Sequence, residues 1–259
     1  MRELFIIFAI LLTIIFIFIG CEGPAGPEGP QGPQGPAGTS EVWIRGSIYA
    51  NSTYNPYGTS YISVYNTMTI PKVTLNSMEY IYDGGFSLEF DPLSPGENAH
   101  ITVDGINLDG DSIHSYSDII VPGPIDFYNE SSNDTIYITL GEDARFIWNN
   151  AENSKMYELN IYIYYYYEDT SGLYTYYSFN IDTILMDTSF TITSNTICPN
   201  IGEISEIINT SGYCWVSASN GPLYTGDTSN VYGDGAGFIK IDYYSNKYNI
   251  QTLLGKAKK

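Results

Sequence analysis

The chain has 259 residues, with 29 Asp and Glu against 10 Lys and Arg, for a formal net charge of −19. So acidic a molecule repels a phosphate backbone or an anionic membrane face, which argues against a nucleic-acid partner. Its 25 tyrosines, with abundant Asn, Ser, Thr and Ile and no long Ala/Leu/Glu/Lys runs, predict pleated, half-buried surfaces and an all-β fold.

The first residues, Met1-Arg2-Glu3, precede an apolar run from Leu4 to Ile19 broken only by Thr13. At about 1.5 Å per residue this run makes roughly 24 Å of helix, short for a bilayer crossing, and the layout is that of a secretory signal peptide over residues 1–20. The run ends on Phe18-Ile19-Gly20-Cys21, which resembles the lipobox of bacterial lipoproteins, although Phe18 and Ile19 depart from the commonest residues there. The resemblance implies that Cys21 is acylated and becomes the first mature residue. Several acyl chains on one Cys anchor stably where a single chain does not. Glu22 after the Cys implies, by the same resemblance, an outer-membrane destination with the globular part outside the cytoplasm. The alternatives are an uncleaved transmembrane anchor or a signal peptide cut elsewhere.

Residues 23–40 form six Gly-x-y triplets in register, five with Pro second. This is the collagen period, in which Gly every third residue lets three chains share an axis. Two readings stand: a triple-helical stalk that makes the protein a homotrimer, or a single spacer of roughly 55 Å at about 3.1 Å per residue. A Cys followed by Gly-Pro triplets is similar to the opening of bacterial collagen-like repeat lipoproteins, a resemblance confined to about residues 1–40.

From Glu41 to Val121, short alternating segments at 42–49, 61–65, 73–75, 86–90 and 99–103 alternate with Gly/Pro turns. They predict a first antiparallel β-sandwich over 41–121, with a rhythm that resembles transthyretin-like or carbohydrate-module sandwiches. Asp104 to Asp111 lacks the Asp-x-Asp-x-Asp-Gly spacing and closing Glu of a calcium loop and reads as a polar turn. Pro122-Gly123-Pro124 marks a domain boundary. Beyond it, strands at 135–140, 144–148, 157–162 and 189–192 precede Tyr213-Cys214-Trp215-Val216-Ser217-Ala218-Ser219-Asn220 and a last strand at 235–241. With Trp148, Tyr157, Tyr213, Val216, Ala218 and Asn220 in its pattern, this succession resembles a fibronectin type III domain. That resemblance implies a second sandwich over 122–248, with Trp148 and Tyr157 filling its core, Tyr213 to Asn220 forming its sixth strand, and an insertion around 198–208. Another immunoglobulin-like sandwich is the competing assignment, and residues 249–259, with Lys256, Lys258 and Lys259, read as a solvated basic tail.

Within the second domain a long hairpin joins 157–167 to 173–181 through Glu168-Asp169-Thr170-Ser171-Gly172. Period-two alternation puts Tyr157, Leu159, Ile161, Ile163, Tyr165 and Tyr167 on the core face. Tyr162, Tyr164 and Tyr166 then fall on the other face, with Tyr174 and Tyr176 across the hairpin. Such a row either docks a sugar or a protein partner, or stabilises an exposed ribbon through cross-strand pairs.

In an oxidising compartment Cys198 and Cys214 are candidates for a disulfide, contributing about 3 kcal/mol for a loop of this length. His100 and His114 lie far from both and lack ligand spacing, so neither a metal nor another cofactor is expected. No Gly-x-Ser-x-Gly, His-Glu-x-x-His or phosphate-binding glycine loop occurs, so no catalytic residue is assigned. The expected function is a lipid-anchored envelope protein presenting β-sandwiches for binding or adhesion. A structural or assembly component is the alternative, and a glycan hydrolase with an inconspicuous carboxylate pair is a more distant third.

Overall fold

The computed structural model describes residues 41–51, 56–128, 134–198, 204–222 and 229–254, with Leu254 described by its backbone alone. The signal segment, Cys21, the Gly-x-y triplets and the lysine-rich terminus lie outside the described residues.

Alternating side chains build eight strands between Glu41 and Val121: β1 (Val42–Tyr49), β2 (Gly58–Tyr65), β3 (Lys72–Leu75), β4 (Met78–Glu79), β5 (Ile81–Tyr82), β6 (Phe86–Phe90), β7 (Asn98–Ile106) and β8 (Ser112–Ile120). In β8, a strand not expected from the sequence, exposed and buried residues alternate along the whole length, with Ile113, Ser115, Ser117 and Ile119 inward. After Val121 come β9 (Thr135–Leu140), β10 (Ala144–Ile147), β11 (Met156–Asp169), β12 (Tyr174–Leu185), β13 (Ser189–Ile192), the one-turn helix α1 (Ser194–Ile197), β14 (Ile204–Asn220), β15 (Tyr232–Gly233), β16 (Gly235–Tyr244) and β17 (Tyr248–Leu254).

These strands form an all-β molecule of two sandwiches, each around its own core. The first core gathers Ile44, Ile48, Ile62, Leu75, Ile101 and Val103 between the β16-β1-β2-β6-β5 strands and a five-stranded sheet ordered β15-β8-β7-β3-β4. The second gathers Phe127, Phe146, Trp148, Tyr157, Tyr165 and Tyr248, with β12, β11, β14, β17 and β9 on one side and the β10–β13 pair on the other.

The domain boundaries differ from the sequential ones expected. The chain does leave the first core after Val121 and enters the second at Ile125. It then returns: Val231, Ile239 and Ile241, assigned above to the second domain, are buried in the first core. β16 lies parallel to β1, with Val42–Tyr49 matched to Gly235–Asp242. Residues 249–254 are not tail but strand, lying parallel to Thr135–Leu140 of β9 and closing the second core with Ile250. The 198–208 insertion likewise shrinks, since β14 starts at Ile204 and runs 17 residues.

β14 joins the two halves. Along one edge it pairs with β11; along the other, Ser217–Asn220 pair with β16 and Tyr213–Cys214 with β17. One ten-stranded sheet therefore runs through both sandwiches. The close approach of β1 and β16 depends on Gly237, whose φ is +154° and whose added Cβ would run into the carbonyl oxygen of Ile44.

Candidate functional site

A sheet packed on a core with one face presents the other to solvent, and here that second face is rich in aromatic side chains. Along β11 the inward set is as expected: Tyr157, Leu159, Ile161, Ile163, Tyr165 and Tyr167 are all buried. Tyr162 and Tyr164 point the other way and are half-buried, while Tyr166 and, on β12, Tyr176 and Tyr174 are 45 %, 50 % and 66 % exposed.

The outward rings touch in sequence. Tyr213 and Trp215 of β14 stack at 5.7 Å between centroids, Tyr213 stacks on Tyr162 at 5.3 Å, and Tyr162 meets Tyr164 at 6.1 Å. Tyr164 and Tyr166 each lie 6.1 Å from Tyr176. Six rings thus form a continuous row across β14, β11 and β12. Lys247 places its ammonium 3.9 Å from the Tyr213 centroid, a cation–π contact at one end. Hydrogen bonding between the Tyr162 and Tyr176 hydroxyls raises the pKa of Tyr162; Tyr176, held first by Ser178 and then by Tyr162, is lowered. Tyr174 extends the exposed aromatic surface beyond the ring contacts, opposite Glu168.

The second core takes in part of the fibronectin-like pattern but not Tyr213. Trp148 and Tyr157 do pack in it, 5.8 Å apart, and the Tyr157 hydroxyl donates to Asn150. Tyr213, however, is three residues from Val216, an odd separation, so the two side chains leave the strand on opposite faces. Cys214, Val216 and Ala218 point inward, while Tyr213 and Trp215 join the outer row. Parity against Val216 and Ala218 was the signal that identifies them.

The expected Cys198–Cys214 disulfide is replaced by two free, buried thiols. Both act as small apolar fillers of the second core. Cys214 lies opposite Ile161 on one side and Tyr248 on the other. Cys198 ends α1, its N–H donating to Ser194, and its thiol is engaged with the Tyr165 hydroxyl. Burial pushes the Cys214 thiol well above its ordinary range.

The two histidines, which sequence spacing left unconnected, flank Tyr116 on the five-stranded sheet. His100 Nδ1 is 2.8 Å from Asp118 and His114 Nδ1 is 2.6 Å from Asp104, with Tyr116 at 6.3 Å from both imidazole rings. The Asp104–Asp111 turn is organised by Asn107, whose side chain accepts the N–H groups of Asp109 and Asp111.

No family model matches the chain, and no curated protein does. Among solved structures it is similar to fibronectin(III)-like modules of Clostridium thermocellum CbhA, at 8% identity and a TM-score of 0.24, over 79% of this chain and 94% of that one. It is also similar to the IG1+IG2 structure of DIP-gamma, at 11% identity and 0.21 over 78% and 94%. A third similarity is to the complex of Dpr11 IG1 with DIP-gamma IG+IG2, at 11% and 0.23 over 78% and 96%. The sandwich assignment therefore rests on the strand pairing and the two cores.

Proposed function

We propose that this protein is a lipid-anchored, non-catalytic envelope protein that binds a glycan or protein partner through the outer face of its ten-stranded sheet. The observation that carries this reading is the row Trp215–Tyr213–Tyr162–Tyr164–Tyr176–Tyr166, six touching rings on the side of the sheet away from its core. Contiguous aromatic surface that the core does not use favours a docking role over a packing one. Tyrosine supplies flat apolar area at low entropic cost and a hydroxyl at its rim. The Gly-Cys end of the apolar run supports anchoring through Cys21, in the outer membrane by the Glu22 that follows. The Gly-Pro triplets then space the sandwiches from the lipid.

Glycan-array and pull-down binding by the detergent-solubilised chain should be lost when Tyr162, Tyr164 and Tyr166 are all changed to Ser; undiminished binding rejects the row as the site. Labelling with palmitate should likewise vanish in Cys21→Ser. An assembly role is favoured by one feature only, the uninterrupted Gly-x-y register over 23–40. Sedimentation of the chain with and without those residues tests it, since an unchanged monomer mass removes the trimer.

A further inference from the structure

Where β1, β16, β14 and β11 run side by side, the same outer face sinks into a cleft of about 260 Å³ lined by Trp43, Arg45, Glu158, Ser219, Phe238 and Lys240. The cleft exists because the sheet changes sandwich here. β1 and β16 belong to the first core, β11 and β14 to the second, and their outward side chains converge. Trp43 and Phe238, opposed diagonally across the parallel pair, form one wall, edge to face at 5.4 Å. The apolar side chains of Met156 and Ile184 complete the opposite side.

The charges of the cleft divide unequally. Lys240 lies 3.0 Å from Asp242 and 3.9 Å from Glu158. Asp242 is fully buried and also takes a very short hydrogen bond from the Ser219 hydroxyl. Burial alone would lower the Lys240 pKa, but the two carboxylates outweigh it and raise it, so the ammonium stays charged. Both carboxylates are therefore committed to Lys240. Arg45 is exposed and directly opposite Phe238, and among the described residues it has no ion pair or hydrogen bond. In a chain of net charge −19, a guanidinium beside an aromatic wall with no carboxylate partner among the described residues is an unusual placement. Its planar fork of donors matches a carboxylate in bidentate fashion.

We propose that this cleft binds an acidic sugar unit, a pyranose bearing a carboxylate, with its ring against Trp43 and Phe238 and its carboxylate on Arg45. A hydroxyl both donates and accepts, so sugar hydroxyls satisfy Glu158 and Lys240 together. A fatty or aromatic carboxylate of the same size would strip water from Glu158 and offer no donor in return, leaving it only the 3.9 Å contact with Lys240 and the 3.4 Å bond from Asn160. The volume is below the roughly 300–1,000 Å³ typical of sites for drug-sized ligands, which fits a single ring. This site is separate from the tyrosine row, and either can fail without the other.

The test is a titration of the full-length chain in non-ionic detergent with trimeric galacturonate and, in parallel, a neutral galactose trimer. Galacturonate should bind saturably and change the tryptophan fluorescence, and added salt should weaken it. Arg45→Gln, at an exposed position, should keep the circular dichroism of the parent and bind galacturonate at least about tenfold more weakly. Trp43→Phe should abolish the fluorescence change while calorimetry still detects binding; Trp215→Phe, in the tyrosine row, should retain the change. No binding of galacturonate, equal binding of the neutral trimer, or an Arg45→Gln protein that binds as the parent does would each overturn the proposal. So would a fluorescence change that follows Trp215 instead of Trp43.

Discussion

In the first sandwich the entering strand β1 pairs in parallel with β16, and in the second the entering strand β9 pairs in parallel with β17. The two are closed alike, by a strand that arrives late in the chain and lies beside the first. Their interiors differ. The first has a full five-stranded sheet opposite and fills the gap mainly with Ile, Val and Leu from both sides, beside the rings of Tyr80, Phe86 and Phe90. Among the described residues the second has the four-residue strands β10 and β13 and one turn of helix opposite, and its core is crowded with rings. Phe127 is the hub, edge-to-face with Phe146, Trp148 and Tyr248 at 5.4–6.2 Å. Where strands are few, large side chains supply the volume that a second sheet supplies elsewhere, since interiors close to uniform density either way.

The strongest way to break the shared closure is Gly237→Ala. The new methyl meets backbone of Ile44 and cannot be relieved by a rotamer change, so β16 must part from β1. The expected cost is on the order of 5 kcal/mol, above an ordinary core truncation, read as the shift in urea midpoint. A variant as stable as the parent would show that the parallel pair does not close the first sandwich.

Next in size is Trp148→Ala, which removes the largest buried ring of the second core and should cost about 3–5 kcal/mol. Trp148→Phe should cost far less, because Trp148 Nε1 has no hydrogen-bond partner among the described residues and its loss leaves nothing unsatisfied. In the first core, Ile101→Val should cost only about 0.5–1.5 kcal/mol. Equal losses for Trp148→Ala and Trp148→Phe would mean that the indole nitrogen, not ring volume, holds the second core.

Strand positions were legible where alternation was local. The core face of β11 followed from Leu159, Ile161 and Ile163, and the outward Tyr162, Tyr164 and Tyr166 followed from it. β8 was missed because its inward set mixes Ile113 and Ile119 with Ser115 and Ser117, so the apolar signal thins. Ser117 is fully buried because its hydroxyl reaches the carbonyl of Asn230, a partner 113 residues away that no local pattern reveals. The return of β16 to the first core was hidden for the same reason. Its residues look like any strand, and only pairing with β1 says which core Ile239 and Ile241 enter. The cleft was equally invisible, since Arg45, Glu158 and Lys240 are brought together by that long-range pairing alone.

A smaller effect compares the two halves in acid. In the first, hydrogen bonds from Asn98 and then His100 hold the Asp118 carboxyl below its ordinary pKa. In the second, the Ser171 hydroxyl and then the Leu173 N–H do the same for Asp169 at the hairpin turn. A depressed folded-state pKa gives stability that is present above the unfolded value, about 4, and lost as pH falls through the folded one. Asp118→Asn should therefore flatten the acid limb of the stability curve. Because the Asp118 side chain is 46 % exposed, the change should stay below about 1 kcal/mol.

The smallest expected effect concerns the thiols, which distinguish the halves because Cys198 and Cys214 both lie in the second core. A disulfide closing this loop would contribute about 3 kcal/mol, and reducing agent would then lower the melting temperature of the second sandwich visibly. Two free, buried thiols predict no shift at all. The thiolate is the reactive form and burial disfavours it at Cys214, so a thiol reagent should leave both cysteines untouched in the native chain and modify both in denaturant. Reagent-resistant sulfur in the unfolded, unreduced chain, other than that of Cys21, would show that the pair is bonded after all. The second core would then owe part of its stability to a covalent link and correspondingly less to its rings.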